Sequence, residues 1–207
     1  MCCRFFIGEL DPELAPVLKA ALRSPLLPQV QKLHPAPLVQ SGEVRPTDLV
    51  AAVASNRQRK PAVFPMVWGF SVPGRAAPLV NARTETAAEK AAFREAWRSH
   101  RCAVPASWYF EWQHLPTQDG RHTTSTRFAI QPKDAATTWL CGLYRIENGL
   151  PVFVILTRAP GPDVAHIHDR MPLILPRQDI PAWIHPDTDP AELLPRAVTA
   201  LSAERAD

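Results

Sequence analysis

The chain has 207 residues, of which 46% are apolar, and carries 23 prolines, 8 glycines and 4 cysteines, so it can bury a sizeable core and is not disordered overall. A formal net charge of +3 suits a nucleic-acid partner but is far from a chain that coats DNA by charge alone. No apolar run approaches the ~18 residues of a membrane span, and the start Met1-Cys2-Cys3-Arg4-Phe5-Phe6 lacks the apolar core of a secretory signal, so a cytoplasmic protein is expected, with no membrane contact.

In chain order, Arg4–Ile7 reads as a first strand. Asp11-Pro12 then starts a helix whose apolar set Leu14, Val17, Leu18, Ala21 and Leu22 has helical period. Pro25, Pro28, Pro35, Pro37 and Pro46 predict an extended or turning connection over residues 24 to 46. Residues 62 to 70 read as a strand. One amphipathic helix is predicted from Glu85 to Ser99, with Ala88, Ala92, Phe93, Ala96 and Trp97 on one face and Glu89, Lys90, Arg94 and Arg98 on the other.

From residue 101 the pattern shifts to period two, which predicts strands at Cys102–Val104, Trp108–Trp112, Arg127–Gln131, Thr138–Arg145, Pro151–Thr157 and Met171–Leu175. Asn148-Gly149 marks a hairpin turn. Short helices are expected at Asp163–Ile167 and near Ile180–Ile184, and Asp189-Pro190-Ala191-Glu192 reads as the capped start of a C-terminal helix. The class is α+β with a mainly antiparallel sheet or barrel, and no repeat or boundary divides the chain, so a single domain over residues 1–207 is expected.

Phosphate-binding glycine loops, H-E-x-x-H and G-x-S-x-G are absent, and Cys2, Cys3, Cys102 and Cys141 lack C-x-x-C spacing. No metal and no cofactor are therefore expected. Cys2 is informative because removal of Met1 gives it a free α-amine beside its thiol. An amine with a reference pKa of roughly 7.7–8.0 attacks an aldehyde near neutral pH, and the thiol then closes a five-membered thiazolidine. Taken alone, Cys2 reads as an ordinary strand cysteine.

The surrounding motifs change that reading. Met1-Cys2-x-Arg4-Phe5, Trp68-Gly69-Phe70, Asn81-Ala82-Arg83-Thr84-Glu85-Thr86, Arg101-Cys102-Ala103-Val104-Pro105-Ala106 leading to Phe110-Glu111-Trp112, and His168-Asp169-Arg170-Met171-Pro172 stand in one order. Together they resemble the SRAP family, the SOS-response-associated peptidase proteins that protect abasic DNA. The resemblance implies an α+β domain with a β-barrel-like core that holds abasic single-stranded DNA as a monomer. It also implies covalent cross-linking through Cys2, an AP-lyase-like activity, and autoproteolytic removal of Met1.

By motif, Cys2 is the implied nucleophile and Asn81 positions it and the sugar. Glu111 is the proton-transfer carboxylate, and His168 assists ring opening or release. Arg4, Arg83 and Arg170 are the implied phosphate contacts, and Trp68 the implied base-stacking ring. The residue types suit these tasks, because opening the sugar hemiacetal and dehydrating a carbinolamine both require proton transfer. Each residue also has a plainer reading: Glu111 as an outward, solvated strand residue, His168 as a hydrogen-bonded structural residue, Arg83 as a surface arginine at a helix entry, and Trp68 as core.

The chain departs from the family pattern at Cys3, where glycine is usual, at Val67, where arginine is common, and at Ser107-Trp108-Tyr109-Phe110, which replaces Asp-Gly-Phe-Tyr. Over residues 24 to 46 the resemblance is confined to Gly42-Glu43-Val44-x-Pro46-Thr47 and its flank. Two other readings compete with covalent capture. One is a thiol peptidase using Cys2 and His168, and the other is a noncatalytic module that binds single-stranded DNA.

Overall fold

Along Leu49–Ser55, the residues Leu49, Ala51 and Val53 join one hydrophobic cluster, while Val50, Ala52 and Ala54 join another. A strand buried on both faces reads as a continuous apolar run rather than an alternating one, which is why this segment gives no period-two signal. The structure is a computed structural model that describes residues 3–9, 11–116 and 123–206. Its strands are β1 (Arg4–Ile7), β2 (Gly42–Val44), β3 (Leu49–Ser55), β4 (Pro61–Trp68), β5 (Asn81–Arg83), β6 (Arg101–Ala106), β7 (Trp108–Pro116), β8 (Thr123–Pro132), β9 (Thr138–Glu147), β10 (Leu150–Arg158), β11 (Met171–Pro172) and β12 (Leu201–Arg205). Its helices are α1 (Leu14–Leu22), α2 (Leu27–Leu33), α3 (Thr84–Ala87), α4 (Arg94–Ser99) and α5 (Ile180–Ile184). None of these described helices is long and apolar enough to cross a membrane.

β3, β4, β10, β9 and β6 pair in sequence and return on themselves, forming a closed five-stranded barrel. β10 is its hub. One edge of β10 carries β4 and then β5, both parallel to it, and the other carries β9 and then β11, both antiparallel. The β9–β10 hairpin turns through Asn148 (φ 50°) and Gly149 (φ 85°), the two left-handed positions of a type I′ turn. Gly142 in β9 is required sterically, since a Cβ there would stand 2.5 Å from the Val154 carbonyl oxygen.

A second sheet, ordered β12-β8-β7-β1-β2 and antiparallel throughout, packs one face on the barrel. Its inner residues Phe5, Ile7, Tyr109, Phe128 and Ile130 share a cluster with Met66, Trp68, Phe153 and Ile155 of the barrel. The other cluster joins the barrel strands to Ala21, Val30, Phe93, Trp97 and Trp183 of the helical layer. Arg101 fastens that layer. It is only 1% exposed, and it donates to five carbonyls, those of Trp183 (2.6 Å), Trp97 (2.7 Å), Arg98 (2.7 Å), Thr188 (2.8 Å) and His185. Burial pulls its pKa down to about 10, so it remains charged at neutral pH.

The α+β class with a barrel-like core stands, and four element expectations change. The helix over Glu85–Ser99 is two short helices, α3 and α4. Ala88 and Ala92 are exposed, whereas Phe93 leaves helical geometry (φ −126°) to pack on Phe70 at 6.1 Å. An aromatic ring gains more by burial than two methyls do. The connection over residues 24 to 46 contains α2, with Pro28 in its first turn, where a missing N–H costs nothing, and also contains β2. Asp163–Ile167 is a run of turns rather than a helix. Asp189 does cap the backbone N–H of Ala191, but only short 3-10 segments follow, at Pro190–Glu192 and Leu194–Arg196.

Candidate functional site

Burial along β1 alternates, with Phe5 and Ile7 inward and Arg4 and Phe6 outward. Its register against β7 pairs Arg4 with Phe110 and Phe5 with Tyr109, so continuing the ladder by one residue brings Cys3 alongside Glu111. Glu111 points inward with Tyr109 and is 3% exposed. It is paired across the ladder with Phe128 and accepts the Trp112 backbone N–H at 3.4 Å. The outward, solvated reading of Glu111 is thereby overturned. Burial raises the Cys3 thiol above its usual range; the charge of Arg4 pulls it down and that of Glu111 pushes it further up. Cys2 lies outside the described residues.

His168 follows the run of turns that begins after β10. That run is tied to β7, because Gln113 Nε2 donates to the His166 carbonyl at 2.8 Å and the His166 ring meets Phe128 edge-on at 6.4 Å. It is tied to α3 as well, through Arg170 and Glu85. His168 Nδ1 lies 3.0 Å from the Arg170 backbone nitrogen and 2.7 Å from Asp169 Oδ1. The first contact needs Nδ1 as an acceptor and the second needs it as a donor, so one ring tautomer makes one of the two and not both. Asn81 lies on β5 opposite Ile155, and Arg83 lies opposite Thr157; two residues apart on a strand, both point to the same side. These contacts tie the segment around His168 to β7 and to α3, which directly follows β5.

The arginines differ in what already holds them. Arg4 Nε is 3.1 Å from Glu43 Oε1, and Nη1 donates to the Cys3 carbonyl at 2.8 Å. Arg45 (3.3 Å) and Arg127 (2.7 Å) hold the same Glu43 carboxylate, and the Arg127 guanidinium covers the Phe110 ring at 3.6 Å. Arg83 is exposed at the entry to α3. Arg170 is enclosed, at 12% side-chain exposure. It grips Glu85 through two bonds of 2.7 and 2.8 Å and donates to the Thr157 carbonyl at 2.7 Å. A phosphate contact by Arg170 therefore requires this ion pair to open.

Base stacking by Trp68 does not fit the structure. Its ring is wholly buried, packed between Phe5 (5.2 Å) and Phe153 (6.1 Å), with its N–H on the Val80 carbonyl at 2.9 Å. The adjoining Gly69 is structural too, with φ 128° and Pro78 standing 2.8 Å from where a Cβ would be. Sequence reasoning misses the engagements of Glu43, Glu85, Gln113 and Arg127. Gly42-Glu43-Val44 is visible as a motif fragment, but the partners of Glu43 on β8 and β1 are nonlocal. Among the described residues, no group of three His, Cys, Asp or Glu side chains is arranged to hold a metal. A cavity of about 480 Å³, lined by Leu26, Phe64, Met66, His100, Tyr144 and Ile146 among others, includes none of the candidate residues.

A family model described as SOS response associated peptidase (SRAP) matches residues 1–206. The Bacillus subtilis (strain 168) protein YoaM, named an abasic site processing protein, is 32% identical over 131 residues, which covers 61% of this chain and 56% of the relative. The Escherichia coli (strain K12) protein YedK, named likewise, is 31% identical over 136 residues, covering 63% and 58%. The chain spans about half the length of the curated relatives it matches. The crystal structure of a phage-related protein from Bordetella bronchiseptica is similar with a TM-score of 0.74 at 21% identity, over 99% of this chain and 94% of that one. A Bacteroides thetaiotaomicron protein gives 0.72 at 21%, over 98% and 92%. At such identity these structures speak for the fold.

Proposed function

This chain belongs to the SOS response associated peptidase family, and from that premise we propose that it captures abasic sites in single-stranded DNA by forming a thiazolidine through Cys2 once Met1 has been removed. The observation that supports this reading is the register of β1 against β7, which aligns Cys3, the neighbour of the proposed nucleophile, with the buried Glu111.

In this scheme the Cys2 amine adds to the sugar C1′ aldehyde, and the resulting carbinolamine loses water to give an imine. The thiol sulfur then bonds to the imine carbon as its proton passes to nitrogen, closing the ring. Glu111 carries protons in the ring-opening and dehydration steps, where burial among Phe128 and Tyr109 keeps bulk water from competing. His168 shares that work, and Asn81 orients the sugar. Met1 is removed autoproteolytically in this reading, and strand scission through the same imine gives the lyase-like side reaction.

Intact-mass analysis of the protein mixed with an abasic oligonucleotide tests the proposal. Wild type is expected to give one stoichiometric adduct that loses one water relative to the summed reactants. Glu111→Gln is expected to form it ~10²–10⁴-fold more slowly, and Cys2→Ser to give no heat-stable adduct although Cys3 is intact. A heat-stable adduct in Cys2→Ser overturns the assignment.

A further inference from the structure

The outer face of the five-stranded sheet, opposite Glu111, has no role in the chemistry above. Cross-strand pairing puts Glu43, Phe6 and Trp108 in one row of this face, with Arg4 beside Phe110 and Arg127 beside Trp112 in neighbouring rows. Three guanidiniums, those of Arg4, Arg45 and Arg127, share the single carboxylate of Glu43, which leaves this end of the face strongly positive. At the other end Trp108, only partly buried, stacks flat on Phe6 at 4.4 Å and 4°. Beside it lies a shallow niche of about 180 Å³ formed with Ala129, Gln131, Ser202 and Glu204. That volume is below the ~300–1,000 Å³ of small-molecule sites and suits one flat ring.

We propose that this face is a second contact stretch for single-stranded DNA, in which Arg45 and Arg127 neutralise phosphates and the Trp108 ring, backed by Phe6, receives a base. The proposal rests on the reading that the protein engages single-stranded DNA. The row Glu43–Phe6–Trp108 spans two strand spacings, about 10 Å, so one strand of nucleic acid meets both ends. Charge sorts the ends. Glu204 repels a phosphate from the niche but accepts from a base amine, while the excess of guanidiniums favours phosphate. Aromatic faces take any base, so the contact extends the track without sequence preference. Trp108 stands where the family pattern has glycine, so this platform is a feature of this chain rather than one inherited from the resemblance.

Fluorescence anisotropy with undamaged oligo-dT of about 5 and about 15 nucleotides, within the ~4–16-nucleotide range of single-strand sites, tests it in the full chain. Arg45→Ala and Trp108→Leu are suitable because Arg45 is 65% exposed and leucine keeps Phe6 covered. Each is expected to weaken the longer oligonucleotide about five- to tenfold and the shorter one little. Arg45→Ala is also expected to lower the salt slope by roughly 0.7, with the slope of Trp108→Leu unchanged. Wild-type affinity for the longer oligonucleotide in both variants overturns the proposal, and so does an equal loss on both lengths. If the length-dependent loss appears while wild type makes no abasic adduct, the sheet contact stands and the covalent reading falls.

Discussion

Around Arg101 five backbone carbonyls surround one guanidinium, whereas around Glu43 three guanidiniums share one carboxylate. Every N–H direction at Arg101 is spent inside the protein, and its position between α4, α5 and the segment reaching Thr188 makes it a fastener. At Glu43 positive charge is in excess at the surface, which gives the fold little and leaves attraction for an anion. Arg170 lies between these extremes, closed by Glu85 and a carbonyl but placed beside β5. Counting arginines therefore says little about DNA binding, because the informative quantity is how many of their protons are already committed.

The sharpest way to break this comparison is Arg101→Met, which fills similar space but leaves the five carbonyls without their donor. A loss of about 3–5 kcal/mol in urea unfolding is expected; a loss below ~1 kcal/mol would mean that water replaces the guanidinium and the knot is not closed. A smaller effect is expected at Glu85, whose carboxyl the Arg170 hydrogen bonds hold down at about 2. Since that lies below the unfolded value of ~4.3, the stabilisation is present above pH ~4.3 and disappears as pH falls through about 2. Glu85→Gln is expected to cost at most ~1 kcal/mol at pH 7 after solvent screening, with the difference from wild type shrinking towards pH 2 in urea titrations. Smallest of all, Arg45→Ala is expected to leave unfolding within ~0.5 kcal/mol of wild type, although it alters the salt dependence of DNA binding.

The sequence makes legible what is local. A strand with one wet face, such as β8, announces itself by period two, and the Asn148-Gly149 hairpin by its turn chemistry. β3 does not, because both its faces are covered, and β12 escapes notice as a short pairing partner of β8. The motif residues stand out as a set, and the contacts of Gln113 with His166 and of Arg170 with Glu85 tie the segments that carry them. What sequence does not reveal is which side chains are already engaged: Trp68 by Phe5 and Phe153, Arg170 by Glu85, and Arg127 by Glu43 and Phe110. Each of these side chains has a partner from a distant stretch of chain, whereas periodicity reports only the immediate neighbourhood.

The closure of the barrel by β10 also has a consequence for how the protein is made. The β3–β4 hairpin is complete by residue 68, yet the parallel partner of Val67 is Val152. At synthesis rates of about 5–20 residues per second, the edge of β4 waits on the order of ten seconds on the ribosome before β10 emerges to cover it. Pairing across such a separation also delays refolding in vitro, since a long loop must close before any contact rewards it. During that interval β4 presents unpaired backbone and apolar residues to other nascent chains. Pro61 and Pro65 within it lack N–H donors and blunt the exposed edge while it waits.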